Sequence, residues 1–420
     1  MADRRRPQHP GGRLRVLTGD DIVEDGRIVG RTDEGRVVFV EGAAPREIAW
    51  VSIERERRGT AIGRVEALIE RSSDRVEPRC PHFGRCGGCT LQHVAYDAQL
   101  RAKERALRSA LSRVGKLELT AIELEPSFAA APYGQRSRAR LHVAPARGRP
   151  SVGFYARRSS VIVDVTECPV LTPALQSAIA LVRAKLRRAH RQAELELVES
   201  SLGVLVGIPG DLLRSNDLEG FSVAAPHAIR FVVPHFAAEA RDGFGSYWVS
   251  PAAFAQSHGA GNAALLETVT RWIATIALPA RALELYAGAG NLTRGLIRAG
   301  FDVLAVERDP RAITSFQRGF PTVPLDQRAA EQAVASFASD GRTFELVVAD
   351  PPREGLSVAA RVGIAKLATR AIGLVSCDLA TFARDAGWLS RNGFALVRAR
   401  LLDFYPETEH AEVAGWLLKG

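Results

Sequence analysis

Cysteine is scarce in this chain of 420 residues, and its placement is uneven. Three of the five fall in one run, Cys80-Pro81-His82-Phe83-Gly84-Arg85-Cys86-Gly87-Gly88-Cys89, while Cys168 and Cys377 stand alone. A C-x5-C-x2-C run needs a fourth thiolate to close a tetrahedral site, and Cys168, in Val165-Thr166-Glu167-Cys168-Pro169, is the candidate. Four thiolates with no His among them suit an iron–sulfur cluster or zinc, and spacing alone leaves both open. Gly87 and Gly88 let the backbone wrap a cluster and offer N–H groups to sulfur. The C-x3-C-x2-C spacing of radical chemistry is absent, and four cysteine ligands leave no open iron. The expected role is structural.

A second set of residues is suited to bond-making. Leu283-Glu284-Leu285-Tyr286-Ala287-Gly288-Ala289-Gly290-Asn291 reads as a strand entering a glycine turn and then a helix. Glu307 closes the following strand, where a carboxylate can accept hydrogen bonds from both hydroxyls of a ribose. No third glycine stands at the dinucleotide spacing, which favours S-adenosylmethionine over a pyrophosphate ligand. Asp350, in Asp350-Pro351-Pro352-Arg353, follows the apolar strand Leu346–Ala349, and Cys377 follows the next strand, in Ser376-Cys377-Asp378. Open α/β sheets place ligands at these carboxyl ends. His410 and Glu412 are acid–base candidates near the C-terminus. Together they suit one reaction. A pyrimidine C5 becomes nucleophilic once a thiolate adds to C6. It then takes a methyl group, and a base removes its proton. Cys377 fits the thiolate and Glu412 the base, with Asp350 positioning ring or cofactor.

The elements that must hold these groups follow from periodicity. Alternating pairs (Leu14/Val16, Val37/Phe39, Ile48/Trp50, Val51/Ile53) punctuated by Gly26, Gly30, Gly35 and Gly42 predict a small barrel over residues 13–70. Helices are predicted over Tyr96–Gly115, Pro173–Arg191 and Ala263–Ala277. From Ala282 onward strands alternate with helices, including a helix over Ala359–Ala371 and a strand over Ile372–Ser376. That alternation predicts an α/β, doubly wound, mostly parallel sheet. The closing strands, Phe394–Leu402 and Glu412–Leu418, have no helix between them and are expected to be antiparallel. The expected division is a disordered tail (1–12), the barrel (13–70), a mixed central domain (71–240) and the α/β domain (241–420).

Composition narrows the partners. The length implies two to four domains. At 46% hydrophobic and 25% charged residues the chain is of globular type, and no apolar run is long enough to span a membrane. Scarce, odd-numbered cysteines exclude a disulfide scaffold, and no secretory signal is visible, so a reduced, cytoplasmic protein is expected. The net charge is +9, but only five of 56 basic residues are Lys, so heavy Arg usage weakens charge as a sign of a polyanionic partner. More specific is the stretch Pro126–Val163, which has no acidic residue and seven arginines: Arg136, Arg138, Arg140, Arg147, Arg149, Arg157 and Arg158. These are expected to contact RNA phosphates.

On these motifs the chain resembles the RNA uracil-5-methyltransferases of the TRAM-containing, iron–sulfur type, whose bacterial members modify 23S ribosomal RNA. The resemblance rests on C-x5-C-G-G-C-x-x-Q-H from Cys80 to His93, Phe254-Ala255-Gln256, Tyr286–Asn291, Val306–Asp309, Asp350–Arg353, Ser376-Cys377 and His410–Glu412. It implies a Rossmann-like class I methyltransferase sheet with an OB-like TRAM barrel. It also implies a [4Fe–4S] cluster on Cys80, Cys86, Cys89 and Cys168, and S-adenosylmethionine contacts at Gln256, Tyr286, Glu307 and Asp350. Cys377 is then the nucleophile, Glu412 the base, and a monomer acting on RNA is expected, ribosomal rather than transfer RNA. A non-catalytic RNA-binding protein with this fold is the other reading. The chain departs from the family at Asp378-Leu379, where Asn-Pro is usual, and at Gln256-Ser257-His258, where Gln-x-Asn is usual. A carboxylate at Asp378 is expected to raise the thiol pKa of Cys377.

Overall fold

The computed structural model describes residues 13–57, 59–186, 189, 191–207, 229–232, 236–277 and 279–420. The expected tail over residues 1–12 lies outside them. The chain forms two compact units: the first ends at Ala106 and also takes in Tyr405–Glu409, and the second comprises Leu107–Phe404 and His410–Gly420.

In the first unit, alternation drives five strands into a ring: β1 (Arg13–Val23), β2 (Arg27–Thr32), β3 (Val37–Glu41), β4 (Ile48–Arg57) and β5 (Thr60–Glu70). They close in the order β1-β2-β3-β5-β4. Every second side chain points inward, so Val16, Ile28, Val38, Val40, Ala49, Val51 and Ala61 fill the interior. Closure removes the exposed edges that a small open sheet would present. The cysteine run follows as a series of turns, and helix α1 (Tyr96–Arg113) comes after it.

The second unit holds two sheets and a hairpin. Strands β6 (Glu123–Phe128), β7 (Arg138–Ala144), β8 (Ser151–Tyr155) and β9 (Ile162–Asp164) are followed by α2 (Pro173–Lys185), β10 (Ala193–Ser200), β11 (Gly203–Gly207) and β12 (Ile229–Val232). Six of these strands form a sheet in the order β12-β11-β10-β7-β8-β9. Leu175, Ala178, Ile179 and Val182 of α2 pack on it. The predicted extension of α2 toward Arg191 is not seen: the helix ends at Lys185, and residues 187, 188 and 190 lie outside those described. A hairpin, β13 (Ala238–Asp242) and β14 (Gly245–Val249), comes next.

The remaining elements are α3 (Gly259–Ile273), β15 (Arg281–Leu285), α4 (Asn291–Arg298), β16 (Asp302–Val306), α5 (Pro310–Gly319), β17 (Leu325–Asp326), α6 (Ala330–Ser339), β18 (Phe344–Ala349), α7 (Val358–Leu367), β19 (Ala368–Ser376), α8 (Leu379–Ser390), β20 (Phe394–Leu402) and β21 (Glu412–Lys419). They build an eight-stranded sheet in the order β17-β16-β15-β18-β19-β21-β20-β6. Strands β17 to β19 run parallel, and β21 is antiparallel to both neighbours, as its connection without a helix requires. Two features differ from expectation. Helix α7 stops at Leu367 rather than Ala371, because Ala368–Ala371 pair with β18 and β21, and ladder bonds override alanine's helical preference. Strand β6 lies in the stretch expected to form the central domain, yet it extends this sheet by pairing parallel with β20.

Candidate active site

The cofactor loop begins where β15 ends. Tyr286 has φ +61°, Gly288 +59° and Gly290 +90°, a left-handed turn between strand and helix. At Gly290 a Cβ would lie 2.1 Å from the Phe320 ring, so only glycine fits. At Gly288 a Cβ would meet no atom within 4 Å, so the backbone there borders open space. Glu307, just past β16, is fixed by this loop: its Oε2 accepts from Gly288 N (2.8 Å), and its Oε1 accepts from Arg308 N and Asp309 N (both 2.7 Å). A carboxylate has about four acceptor positions, so capacity remains for a hydroxyl donor.

Beneath the loop lies Glu284, which the sequence reading did not single out. It is buried in β15, and Thr293 in the first turn of α4 donates to it at 2.5 Å. Burial pushes its carboxyl up to about 8. The available signal was a Glu inside an otherwise apolar central strand, which demands a partner. Asn291 at the start of α4 exchanges hydrogen bonds with Asn262 of α3 (2.8 and 3.0 Å), and Arg294 pairs with the buried Asp242 at the hairpin turn (2.8 Å). These bonds fix where α4 begins.

Gln256 precedes α3. Its side chain is 9% exposed, and its Oε1 has no hydrogen-bond partner. A buried acceptor left without a donor suits a ligand that brings one. His258, in place of the usual Asn, caps α3: its Nδ1 accepts from Gly261 N at 2.9 Å. Burial lowers its pKa, which keeps the imidazole neutral and able to accept. The departure at this position therefore preserves the cap.

The reacting candidates stand at neighbouring strand ends. Ser376 pairs with Val413, so Cys377 and Glu412 come next across the β19–β21 ladder. Ala349 pairs with both Leu374 and Leu285, which places Asp350 beyond the end of β18, between the strands leading to Cys377 and to Tyr286. Burial, then the charge of Glu412, pushes the Cys377 thiol up to about 11, with Arg353 opposing. Burial pushes Asp350 up to about 7. Burial and the neighbouring Asp350 raise Glu412 well above the usual carboxylate range. Two carboxyls and a thiol thus share one desolvated site, a setting for proton transfer. His410 lies half-buried two residues before Glu412. Tyr286 is half-buried, its hydroxyl 3.5 Å from Glu331.

Asp378 does not act as expected. Its Oδ1 accepts from Thr381 N (2.7 Å), capping α8, and its charge is not among the causes of the raised Cys377 pKa. Asp caps a helix as well as Asn does.

The other candidates fall in separate places. Cys80, Cys86 and Cys89 lie on the turns of the first unit, where Cys80 N donates to Gln92 Oε1 (3.0 Å), Gly88 N points at Cys86 Sγ (3.4 Å) and His93 Nε2 meets Ala43 O (2.8 Å). Cys168 lies in the second unit, its N–H bonded to Gln176 Oε1 (2.9 Å). Among the described residues no group of three or more His, Cys, Asp or Glu side chains is gathered to hold a metal ion. Nor is the arginine stretch uniformly available to a partner. Arg138 and Arg140 both bond to Glu196, and Arg138 is nearly buried, while Arg147 and Arg149 are exposed.

Residues 7–65 match the family model of the TRAM domain. The chain is also similar to the 23S rRNA (uracil(1939)-C(5))-methyltransferase RlmD of Chromohalobacter salexigens, with 32% identity over 94% of this chain and 87% of that protein. The chain belongs to the RNA uracil-5-methyltransferase family. The enzyme of the same name from Edwardsiella ictaluri is likewise 32% identical, over 95% of this chain and 94% of its own. The crystal structure of the Pyrococcus abyssi tRNA (uracil-54, C5)-methyltransferase, in complex with S-adenosyl-L-homocysteine, superposes with a TM-score of 0.70. It covers 96% of this chain and 99% of its own at 24% identity, which shows that the family's fold is shared. Among the described residues no helix is long and apolar enough to cross a membrane.

Proposed function

We propose that this protein methylates C5 of a uridine in RNA, with 23S ribosomal RNA as substrate and S-adenosylmethionine as methyl donor. The observation that carries the reading is the juxtaposition of Cys377 and Glu412 across the β19–β21 ladder, with Asp350 at the end of the neighbouring strand. Cys377 Sγ adds to C6, and the C5–C6 double bond opens toward C5. C5 takes the sulfonium methyl and S-adenosylhomocysteine leaves. Glu412 removes the C5 proton, the C6–S bond breaks, and the double bond re-forms. Glu307 receives the ribose, Gln256 supplies its open acceptor, and Tyr286 and Asp350 border the cofactor. The orphaned Gln256 oxygen and the open space at Gly288 support the fit.

Within this reading, residues 13–70 form an RNA-binding barrel, 71–240 a central RNA-gripping domain and 241–420 the methyltransferase domain of a cytoplasmic enzyme. Cys80, Cys86, Cys89 and Cys168 hold a [4Fe–4S] cluster. The donor chemistry fits, with thiols only, glycines beside them and an N–H turned toward Cys86 Sγ. When bound, the cluster supplies a cross-link, and no step of the reaction passes through it. Iron and acid-labile sulfide in anaerobically purified protein support it; stoichiometric zinc overturns it.

The functional test is mass-spectrometric mapping of 5-methyluridine in ribosomal and transfer RNA from cells with and without the gene. Loss of one 23S site is expected. Loss confined to transfer RNA corrects the substrate, and loss nowhere contradicts the activity.

A further inference from the structure

Arg138 belongs to the acid-free arginine stretch, where a phosphate contact is the obvious role. Its guanidinium is committed elsewhere. Nη2 donates to Pro251 O (2.7 Å) and Glu196 Oε2 (3.2 Å), while Nη1 donates to Ala253 O and Ser250 O. One side chain therefore ties down three carbonyls of the turn that leads into Phe254-Ala255-Gln256. The neighbouring backbone grips the other side of Gln256: Ser137 N donates to Ser257 O (2.8 Å), and Arg136 bridges to His258. Glu196 lies opposite Arg140, so Arg138 and Arg140, on one face of β7, straddle it. Only a planar fork with five donors can serve carbonyls and a carboxylate at once.

We propose that Arg138 is a positioning residue for the cofactor pocket, holding the Ser250–Ser257 segment so that the buried, unpartnered Gln256 Oε1 faces its ligand. The proposal rests on the reading of Gln256 as a cofactor contact. An ammonium cannot reproduce the fork, so Arg138→Lys leaves the segment loose without removing the charge.

The test measures S-adenosylhomocysteine binding by calorimetry and RNA binding across a salt series. It uses the full-length protein, Arg138→Lys, Gln256→Ala and the double variant. Arg138→Lys is expected to weaken S-adenosylhomocysteine about tenfold, and the double variant to be no weaker than Gln256→Ala alone. The salt slope of RNA binding should be unchanged, whereas loss of a phosphate contact lowers it by about 0.7. Glu196→Gln, which loosens the anchor while keeping the arginine, should shift binding the same way by less; it keeps the inference testable if Arg138→Lys does not fold. Unchanged binding in Arg138→Lys, additive effects in the double variant, or a lowered salt slope overturns the proposal. If the wild type binds no S-adenosylhomocysteine, or Gln256→Ala binds normally, the underlying reading of the pocket falls as well.

Discussion

Cys377 and Glu412 are neutral in the resting protein because burial makes charge costly there. A thiol pushed up to about 11 is a poor nucleophile until substrate and cofactor change its surroundings, which couples reactivity to binding. Glu284 gives a sharper residue-level expectation. Its ordinary value is 4.5, and burial raises it to about 8 in the folded chain. Below 4.5 the folded and unfolded chains both hold the proton, and the group's contribution is fully present. As pH rises toward about 8 the unfolded chain ionises first, and that contribution is lost. Thermal melts of wild type and Glu284→Gln should therefore coincide near the acid end, with the wild type falling behind progressively up to about pH 8. Parallel curves across that range would contradict burial of a protonated carboxyl. Cys377, Asp350 and Glu412 were legible because each ends or begins an apolar strand. Glu284 was not, since its role comes from Thr293 reaching back nine residues later, a contact no strand pattern displays.

At the scale of elements, the caps explain why two departures from the family pattern cost little. Asp378 caps α8 and His258 caps α3, so each helix keeps an acceptor for its exposed N–H groups. Asp378→Ala should destabilise the protein by about 1 kcal/mol, whereas Asp378→Asn should match wild type in both melting temperature and methyl transfer. An Asn variant with markedly faster transfer would show that the carboxylate does burden Cys377. The strand–helix order was readable from periodicity because parallel sheets bury near-continuous apolar strands. The end of α7 and the placement of β6 were not. Both are decided by pairing with strands distant in sequence, which local preference cannot register.

For the molecule as a whole, the positive charge is less concentrated on RNA than composition suggests, since Arg138 and Arg140 answer to Glu196. Arg147 and Arg149 remain exposed. Arg147→Ala should weaken RNA binding evenly across sequences and reduce the log–log salt slope by about 0.7, checked by titrations over a range of ionic strength. An unchanged slope would move the RNA contact away from this stretch. The central claim is that Cys377 bonds covalently to uracil C6 during methyl transfer. The most direct test uses RNA carrying 5-fluorouridine at the target, with S-adenosylmethionine labelled in its methyl group. Fluorine cannot leave C5 as a proton does, so elimination fails and the adduct persists. The expected result is a denaturation-stable protein–RNA band carrying the labelled methyl, present in the wild type and absent in Cys377→Ala. Methyl transfer to ordinary RNA by Cys377→Ala, or wild-type turnover with no trapped adduct, would contradict it.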